Sequence, residues 1–112
     1  MISNIYSTHR PLKAVILAAG AKSISADGLP VLLQDVGGGK IIDYVTANTA
    51  QIIAPADTFV VVGYQREAIE AHLGSDYRYV VQEKAKGTGD AVRQLHSLLK
   101  DYDGDLLILY GD

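Results

Sequence analysis

Cysteine is absent from this sequence, and so is any run of lysine and arginine. Without cysteine the chain has no disulfide bonds, no thiolate metal ligands and no cysteine nucleophile, which is consistent with a reducing compartment. The net charge is -3 at pH 7. Because nucleic acids and acidic membranes are bound by clustered cations, this charge pattern argues against both as partners. A single mononucleotide stays possible, since backbone amides can hold it.

Long apolar stretches are also absent. No segment approaches the roughly 18 apolar residues of a membrane span, and residues 1–13 have no apolar stretch before their charges, unlike a signal peptide. Apolar residues make up 48% of the chain and charged residues 21%. This balance is typical of a globular domain, and 112 residues suffice for one core. We therefore expect a soluble, cytoplasmic protein of one domain.

Short apolar runs alternate with segments of helical periodicity. Four runs are candidate strands, and three of them are almost continuously apolar, at 13–20, 58–64, 77–83 and 105–112. Three intervening segments repeat apolar residues at helical spacing, at 39–54, 66–74 and 87–104. Continuous apolar runs are typical of strands buried on both faces, as in a parallel sheet covered by helices.

This order of elements predicts an α/β fold. Alternating strands and helices favour right-handed crossovers in a doubly wound, mostly parallel, Rossmann-like sheet with helices on both faces. Ligands of such sheets bind at the carboxyl ends of the strands. The sequence GGGK at 37–40 precedes a helical segment, and we interpret it as a helix-entry turn rather than a phosphate cradle because it lacks the spacing of a P-loop.

Four motifs in register resemble a known family. They are KAVILAAG followed by LPVLL and VGGGKIIDYV, then FVVVGYQREAIEAHLG, VVQEKAKGTGDAV and DLLILYGD. From Lys13 to Asp112 they are similar to the N-terminal half of the sugar-phosphate nucleotidyltransferases, such as UDP-N-acetylglucosamine pyrophosphorylases and glucose-1-phosphate uridylyl- and thymidylyltransferases. The resemblance implies a tail at 1–12, a truncated nucleotide-diphospho-sugar transferase domain at 13–112, and a strand order of 3-2-1-4.

The resemblance also implies a nucleotide site. In the family a Leu-Ala-Ala-Gly turn lies along the nucleotide, and a Gln and a Gly-Thr pair contact the pyrimidine. The matching residues here are Leu17, Ala18, Ala19, Gly20, Gln82, Gly87 and Thr88. Small residues let backbone amides approach a ligand closely, and a Gln amide offers both a donor and an acceptor. The family's Asp at the end of the last strand holds Mg²⁺, and this position is Asp112.

Two cations of the family pattern are missing. Ile24 stands at the position of the signature Arg, and Val31 stands at the position of the Lys that follows Pro30. Each loss of such preorganised charge could lower a phosphoryl-transfer rate by roughly 10²-fold. Lys22 is a candidate replacement, although a solvated loop lysine is the favoured interpretation.

These observations leave two functions open. The reaction implied by the resemblance joins a nucleoside triphosphate, with UTP the expected one, to a sugar 1-phosphate and releases pyrophosphate. The expected partners are then a nucleoside triphosphate or a nucleotide sugar, and the short chain is weak or inactive as a catalyst. The alternative is a non-catalytic nucleotide sensor or assembly module with a vestigial site. A dinucleotide-binding domain is disfavoured because no G-x-G-x-x-G follows the first strand.

The last predicted strand has a consequence for assembly. In the family fold it lies inside the sheet, and in a chain that stops at Asp112 its outer edge is unpaired and apolar. Such edges pair with other strands. We therefore expect either a homodimer through this edge or a chain that is the remainder of a longer protein.

Overall fold

A parallel sheet of four strands is the centre of the fold. The computed structural model describes residues 11–19, 30–63, 66–84 and 87–111. The strands are β1 (Leu12–Ala18), β2 (Asp35–Val36), β3 (Gly39–Lys40), β4 (Thr58–Val62), β5 (Arg78–Val81) and β6 (Asp105–Tyr110). The main sheet has the order β5-β4-β1-β6 with every pair parallel, while β2 and β3 form a separate antiparallel pair. The order implied by the family resemblance is thus confirmed.

The central strands explain the apolar runs of the sequence. β1 pairs with β4 on one side and β6 on the other, so that Ile16 lies opposite both Val60 and Leu109. Every residue of β4 is buried, including Thr58, whose hydroxyl donates to the Ala54 carbonyl at 3.0 Å. A strand covered on both faces has no solvent-facing positions to fill with polar residues, which accounts for the missing alternation.

Helices cover both faces of the sheet, as expected for a doubly wound fold. They are α1 (Ile41–Ala50), α2 (Arg66–Leu73), α3 (Thr88–Arg93) and α4 (His96–Leu99). One face carries a buried cluster of Ile16, Ala18, Leu33, Ile42, Val60, Val62 and Ile69. The other carries Val15, Phe59, Val61, Ala91 and Leu95. No helix in the described ranges is long and apolar enough to cross a membrane.

Two predicted helices differ from the observed ones. The first ends at Ala50, well before Pro55, because the chain turns at Gln51 and returns Ile53 to the core while Ile52 is exposed. The third is interrupted at Gln94 and Leu95, so that α3 and α4 replace one continuous helix and Leu98 faces solvent. In both cases an apolar residue that continues the helical spacing, Ile52 or Leu98, is exposed.

The GGGK segment forms a turn, as expected. Gly37 and Gly38 have φ of 63° and 93°. Positive φ at two successive residues is the geometry of a tight hairpin turn, here between β2 and β3. Lys40 then precedes the first residue of α1. The segment is therefore both a hairpin turn and the entry to the helix.

A polar contact joins α1 to α2. Asp43 Oδ1 lies 2.7 Å from His72 Nε2, and Asp43 Oδ2 accepts a hydrogen bond from the Lys40 backbone N–H at 2.9 Å. Burial raises the pKa of Asp43, but the hydrogen bond from Lys40 and the contacts with His72 outweigh it. The pKa of Asp43 in the folded chain is therefore below its ordinary value of 3.8.

Asp43 should contribute to the acid sensitivity of the fold. Because its pKa is lower in the folded state, its contribution to stability is present above pH 3.8 and is lost as the pH falls through the folded value. The side chain is 38% exposed, so we expect this contribution to be below about 1 kcal/mol at neutral pH. Between about pH 5 and about pH 2 the melting temperature of Asp43→Asn should fall less steeply than that of the wild type. Asp35→Asn is the control, because it removes a carboxylate that pairs with Lys40 but is 77% exposed, and it leaves the Asp43–His72 contact in place.

Candidate nucleotide site

The carboxyl ends of the four parallel strands lie at one edge of the sheet. Hydrogen bonding continues beyond the strands at this edge. The Gln82 backbone N–H donates to the Val62 carbonyl at 2.8 Å, and that of Gly111 donates to the Leu17 carbonyl at 2.9 Å. The residues that follow β5 and β6 are thus fixed to the ends of their neighbours. This ordered edge is where a doubly wound sheet binds ligands.

Gly63 lets three strand ends approach one another closely. A Cβ atom at Gly63 would lie 2.9 Å from the Gln82 carbonyl oxygen and 3.3 Å from the Ala19 Cβ. The first distance is shorter than any ordinary carbon–oxygen contact, and the neighbour is backbone. Only glycine therefore permits the observed spacing between the end of β4, Gln82 and Ala19.

The turn Val31–Leu33 lies against the same edge. A Cβ atom at Gly111 would lie 3.0 Å from the Leu32 Cδ1, and Leu33 is buried in the core. Val31 begins this turn and is half-buried. Its aliphatic side chain cannot neutralise a phosphate, so the position that carries the family's Lys supplies no charge here.

The side chain of Gln82 is held inside the protein. It is only 5% exposed. Its Nε2 donates to Asp90 Oδ2 at 2.8 Å and to the Gly87 carbonyl at 3.4 Å. Gly87 has φ of 94° and ψ of 175°, a conformation that residues with a Cβ rarely adopt. The side-chain N–H groups of Gln82, which were expected to contact a base, therefore donate to Asp90 and Gly87 instead.

Asp90 is the acceptor that organises this cluster. Its side chain is 13% exposed, and Arg93 donates to its Oδ1 at 2.7 Å. The hydrogen bond from Gln82, followed by that from Arg93, holds the pKa of Asp90 below its ordinary value despite the opposing effect of burial. Asp90 is therefore a carboxylate at neutral pH and can only accept hydrogen bonds.

α3 spans the carboxyl edge from β5 to β6. At its start the Thr88 hydroxyl lies 3.0 Å from the Tyr110 hydroxyl at the end of β6. Its Ala91 packs in the buried cluster against which Leu17 and Ala19 also pack. With Gln82 bonded to Asp90, the helix contacts the ends of both outer strands and of β1. Gly87 and Thr88 are thus placed close to the end of β1, where Leu17 and Ala19 lie.

The structure brings together most of the sequence-predicted nucleotide residues. Six of the seven are near the carboxyl edge: Leu17, Ala18, Ala19, Gln82, Gly87 and Thr88. Gly20 lies outside the described residues, as do Lys22, Ile24 and Asp112. Sequence reasoning missed Gly63, Asp90 and Tyr110. Asp90 stands inside the GTGDAV motif, but nothing in its spacing shows that it bonds to Gln82.

A metal site is implied only at Asp112. In the part of the chain that the structure describes, no group of three or more His, Cys, Asp or Glu side chains could hold a metal ion. Asp112 follows Gly111 directly in the sequence, and Gly111 is bonded to Leu17. A carboxylate is a hard oxygen ligand that suits Mg²⁺, which usually binds through one or two carboxylates together with substrate phosphates. The family resemblance thus assigns Asp112, which lies outside the described residues, as the residue that would hold Mg²⁺ together with the nucleotide.

Comparison with known proteins establishes the class. The family model described as nucleotidyl transferase matches residues 13–112. The chain belongs to the nucleotidyl transferase family, and its α/β sheet is the fold of that family. The match begins within β1 and continues through β6, so all four strands of the main sheet belong to the family pattern.

The more particular likeness is to the bifunctional protein GlmU. The chain is 34% identical over 107 residues to GlmU of Koribacter versatilis, covering 95% of this chain and 23% of the relative. It is 38% identical over 104 residues to GlmU of Sphingopyxis alaskensis, covering 93% and 23%. The chain therefore spans less than a quarter of the length of these curated relatives.

Solved structures share the fold at lower identity. The crystal structure titled mannose-1-phosphate geranyltransferase, from Thermus thermophilus, superposes with a TM-score of 0.74 at 19% identity, covering 90% of this chain and 32% of that one. The CTP:phosphocholine cytidylyltransferase of Streptococcus pneumoniae superposes with a TM-score of 0.63 at 23% identity, covering 92% and 45%. These similarities concern the backbone arrangement.

Proposed function

We propose that this chain is the nucleotide-binding part of a sugar-phosphate nucleotidyltransferase domain and that it binds UTP. The observation that carries the proposal is the convergence at the carboxyl edge. Leu17 and Ala19, at the end of β1, come from one motif, Gln82 and Thr88 come from another, and both groups contact α3 or its buried cluster. The likeness to GlmU over nearly the whole chain supports the same assignment.

Each residue has a role in this proposal. The small side chains of Ala18 and Ala19 let the backbone lie along the nucleotide, because no bulky group separates its N–H donors from the ligand. The Oε1 of Gln82, the amide atom that does not face Asp90, meets the pyrimidine edge in this proposal. The Thr88 hydroxyl, which is hydrogen-bonded to the Tyr110 hydroxyl, contacts the nucleotide at the start of α3.

The reaction we assign to the intact domain is nucleotidyl transfer. A phosphate oxygen of the sugar 1-phosphate attacks the α-phosphorus of UTP, the bond from that phosphorus to the bridging oxygen breaks, and pyrophosphate leaves. Mg²⁺, held by Asp112 and the phosphates, would supply positive charge at the leaving group. With Ile24 and Val31 in place of two cations, we propose that this chain binds the nucleotide but turns it over slowly.

Calorimetry with the full chain tests the nucleotide assignment. UTP, dTTP, CTP, ATP and a UDP-sugar are titrated with and without Mg²⁺, and we expect UTP to bind and Mg²⁺ to strengthen its binding. The matched variant is Thr88→Val, which keeps the shape of the side chain but removes its hydroxyl and should weaken UTP roughly threefold to tenfold. The absence of binding by any nucleotide at millimolar concentration would contradict the proposal.

A second candidate function is a nucleotide sensor. It is favoured by the apolar side chain at Val31, which removes a catalytic charge without disturbing the turn Val31–Leu33. Pyrophosphate release separates the two functions. With UTP, Mg²⁺ and a panel of sugar 1-phosphates, release above the uncatalysed rate supports the transferase, whereas tight binding without release supports the sensor.

A further inference from the structure

The amide group of Gln82 has a fixed orientation. Its Nε2 lies 2.8 Å from Asp90 Oδ2 and 3.4 Å from the Gly87 carbonyl oxygen. Neither oxygen can donate a hydrogen bond, so both need a donor from Gln82. Rotation of the amide by half a turn would place its Oε1 against these two oxygens. The Oε1 atom is therefore held at the opposite corner of the amide.

Asp90 enforces this orientation more strongly than Gly87. It carries a full negative charge at the shorter of the two distances, and hydrogen bonds to charged groups are the stronger kind. Its carboxylate also accepts from Arg93 at 2.7 Å and from Gln94 Nε2 at 3.3 Å. Gln82, Arg93 and Gln94 thus all donate to the Asp90 carboxylate. Asp90 cannot donate to Gln82 in return, so the Gln82 amide must keep its nitrogen toward Asp90.

We propose that Asp90 is a positioning residue that determines which base the site selects. The inference rests on the proposed function, in which Gln82 meets the base. With its N–H groups held by Asp90 and Gly87, Gln82 can offer a base only an acceptor. With Oε1 at the N3 position of the base, uracil and thymine donate their N3–H to it, whereas the N3 of cytosine is itself an acceptor and its donor, the N4 amine, lies one position further along the edge. Asp90 therefore favours UTP and dTTP over CTP.

The variant Asp90→Asn tests this role. In the variant the Arg93 guanidinium, which only donates, should hold the Asn carbonyl oxygen. The Asn amide nitrogen then faces Gln82, whose amide must turn to accept from it. We expect the ratio of the CTP to the UTP dissociation constant, measured by calorimetry, to fall on the order of tenfold, with UTP weakened and CTP strengthened.

Two further variants distinguish the orientation of the Gln82 amide by Asp90 from a general disturbance of the fold. Asp90→Glu keeps an acceptor-only carboxylate and should restore most of the preference for UTP. Arg93→Ala removes a different partner of Asp90, and because Arg93 is 74% exposed it should keep both the fold and the base preference. A ratio that is unchanged in Asp90→Asn, or that falls equally in Arg93→Ala, would overturn the proposal.

A measurement without nucleotide keeps the inference separate from the proposed function. In ¹H–¹⁵N spectra of the free chain, the Gln82 side-chain protons should be shifted downfield and exchange slowly with water, and Asp90→Asn should remove both features. If no nucleotide binds the wild type but these spectra change as expected, the proposed function and the base selection fail, whereas the orientation of Gln82 by Asp90 stands. If the Gln82 signals are the same in both proteins, the positioning role fails whatever the nucleotide results.

Discussion

A variant that combines Ile24→Arg with Val31→Lys is expected to bind UTP with Mg²⁺ about 10- to 100-fold more tightly than the wild type. Each substitution supplies a cation at a position where the resembled family carries one, and a charged hydrogen bond to phosphate contributes about 1.5–3 kcal/mol before solvent screening. Val31 begins the turn that lies against Gly111 and the end of β1, so a lysine there is on the correct edge of the sheet. Calorimetry against UTP measures the gain.

The control must add the same charge elsewhere. Ala50→Lys with Ala54→Lys introduces two cations at exposed positions between α1 and β4, near the amino ends of the strands. This variant should bind UTP within about twofold of the wild type, because exposed charges beyond the screening length contribute little. An equal gain in both variants would mean that net charge alone attracts the nucleotide. No gain in either would mean that the edge does not hold a triphosphate.

The same double variant should show a particular salt dependence. The added affinity arises from charges that are partly exposed, and it should shrink as salt rises from about 0.05 M to about 0.5 M. The affinity that remains at high salt then measures what the backbone and Gln82 contribute without cations. A pyrophosphate assay on the same samples reports whether the restored charge also increases turnover.

Substitution of Gly63 by alanine should lower the stability of the fold strongly. The added Cβ would lie 2.9 Å from the Gln82 carbonyl oxygen, so either the end of β4 or the end of β5 must move. Overpacking of this kind costs about 1–3 kcal/mol, which corresponds to a fall in melting temperature of roughly 10 °C in a domain of this size. The cost is steric, because φ at Gly63 lies outside the left-handed region.

Gly89→Ala is the matched control for Gly63→Ala. Gly89 lies in α3, and a Cβ there would have no neighbour within 4 Å. Alanine favours helices by about 1 kcal/mol over glycine, so this variant should be as stable as the wild type or slightly more stable. Thermal melts of the two variants should therefore diverge in opposite directions. A melting temperature for Gly63→Ala within a degree or two of the wild type would show that the strand ends separate without cost.

Gly63→Ala should also affect ligand binding. Its Cβ would press on Ala19 as well as on Gln82, which are the two ends of the candidate nucleotide site. We expect the affinity for UTP to fall about tenfold or more, even at temperatures where the variant is fully folded. The reason is that displacement of Gln82 or Ala19 would break hydrogen bonds to the nucleotide, and each lost bond weakens binding. The effect would link a purely steric feature of the sheet to recognition.

The sheet could be predicted from sequence because its signal is local. The four candidate runs correspond to β1, β4, β5 and β6 within a few residues. The apolar runs are explained most directly at the central strands β1 and β4, because a strand covered on both faces excludes polar side chains. The helix ends were predicted less well. Ile52 and Leu98 continue the apolar spacing but are exposed, Ile52 because the chain has left α1 at Gln51 and Leu98 in the short helix α4 that follows the break at Gln94 and Leu95. Spacing alone contains no information about the extent of the neighbouring layer.

The candidate site was predictable only in part, for a related reason. Gln82 and Thr88 follow from motifs that resemble a family, and the structure places them at the same edge as the Leu17–Ala19 turn. The contacts that fix them join residues far apart in the chain or across a loop. Thr88 meets Tyr110 over 22 residues, and Gln82 meets Asp90 over eight. Which acceptor an amide faces depends on the three-dimensional path of the loop between them.

The close approach of strand ends at Gly63 has an evolutionary consequence. The carboxyl edge is assembled largely by main-chain contacts, such as those of Gly63 with Gln82 and of Gly111 with Leu17. Main-chain contacts do not depend on which side chains occupy the adjoining loops. Selection can therefore exchange a charged for an apolar residue at Val31 while these main-chain contacts remain. A lineage that changes its chemistry in this way keeps the architecture from which the older chemistry, or a new one, can be rebuilt.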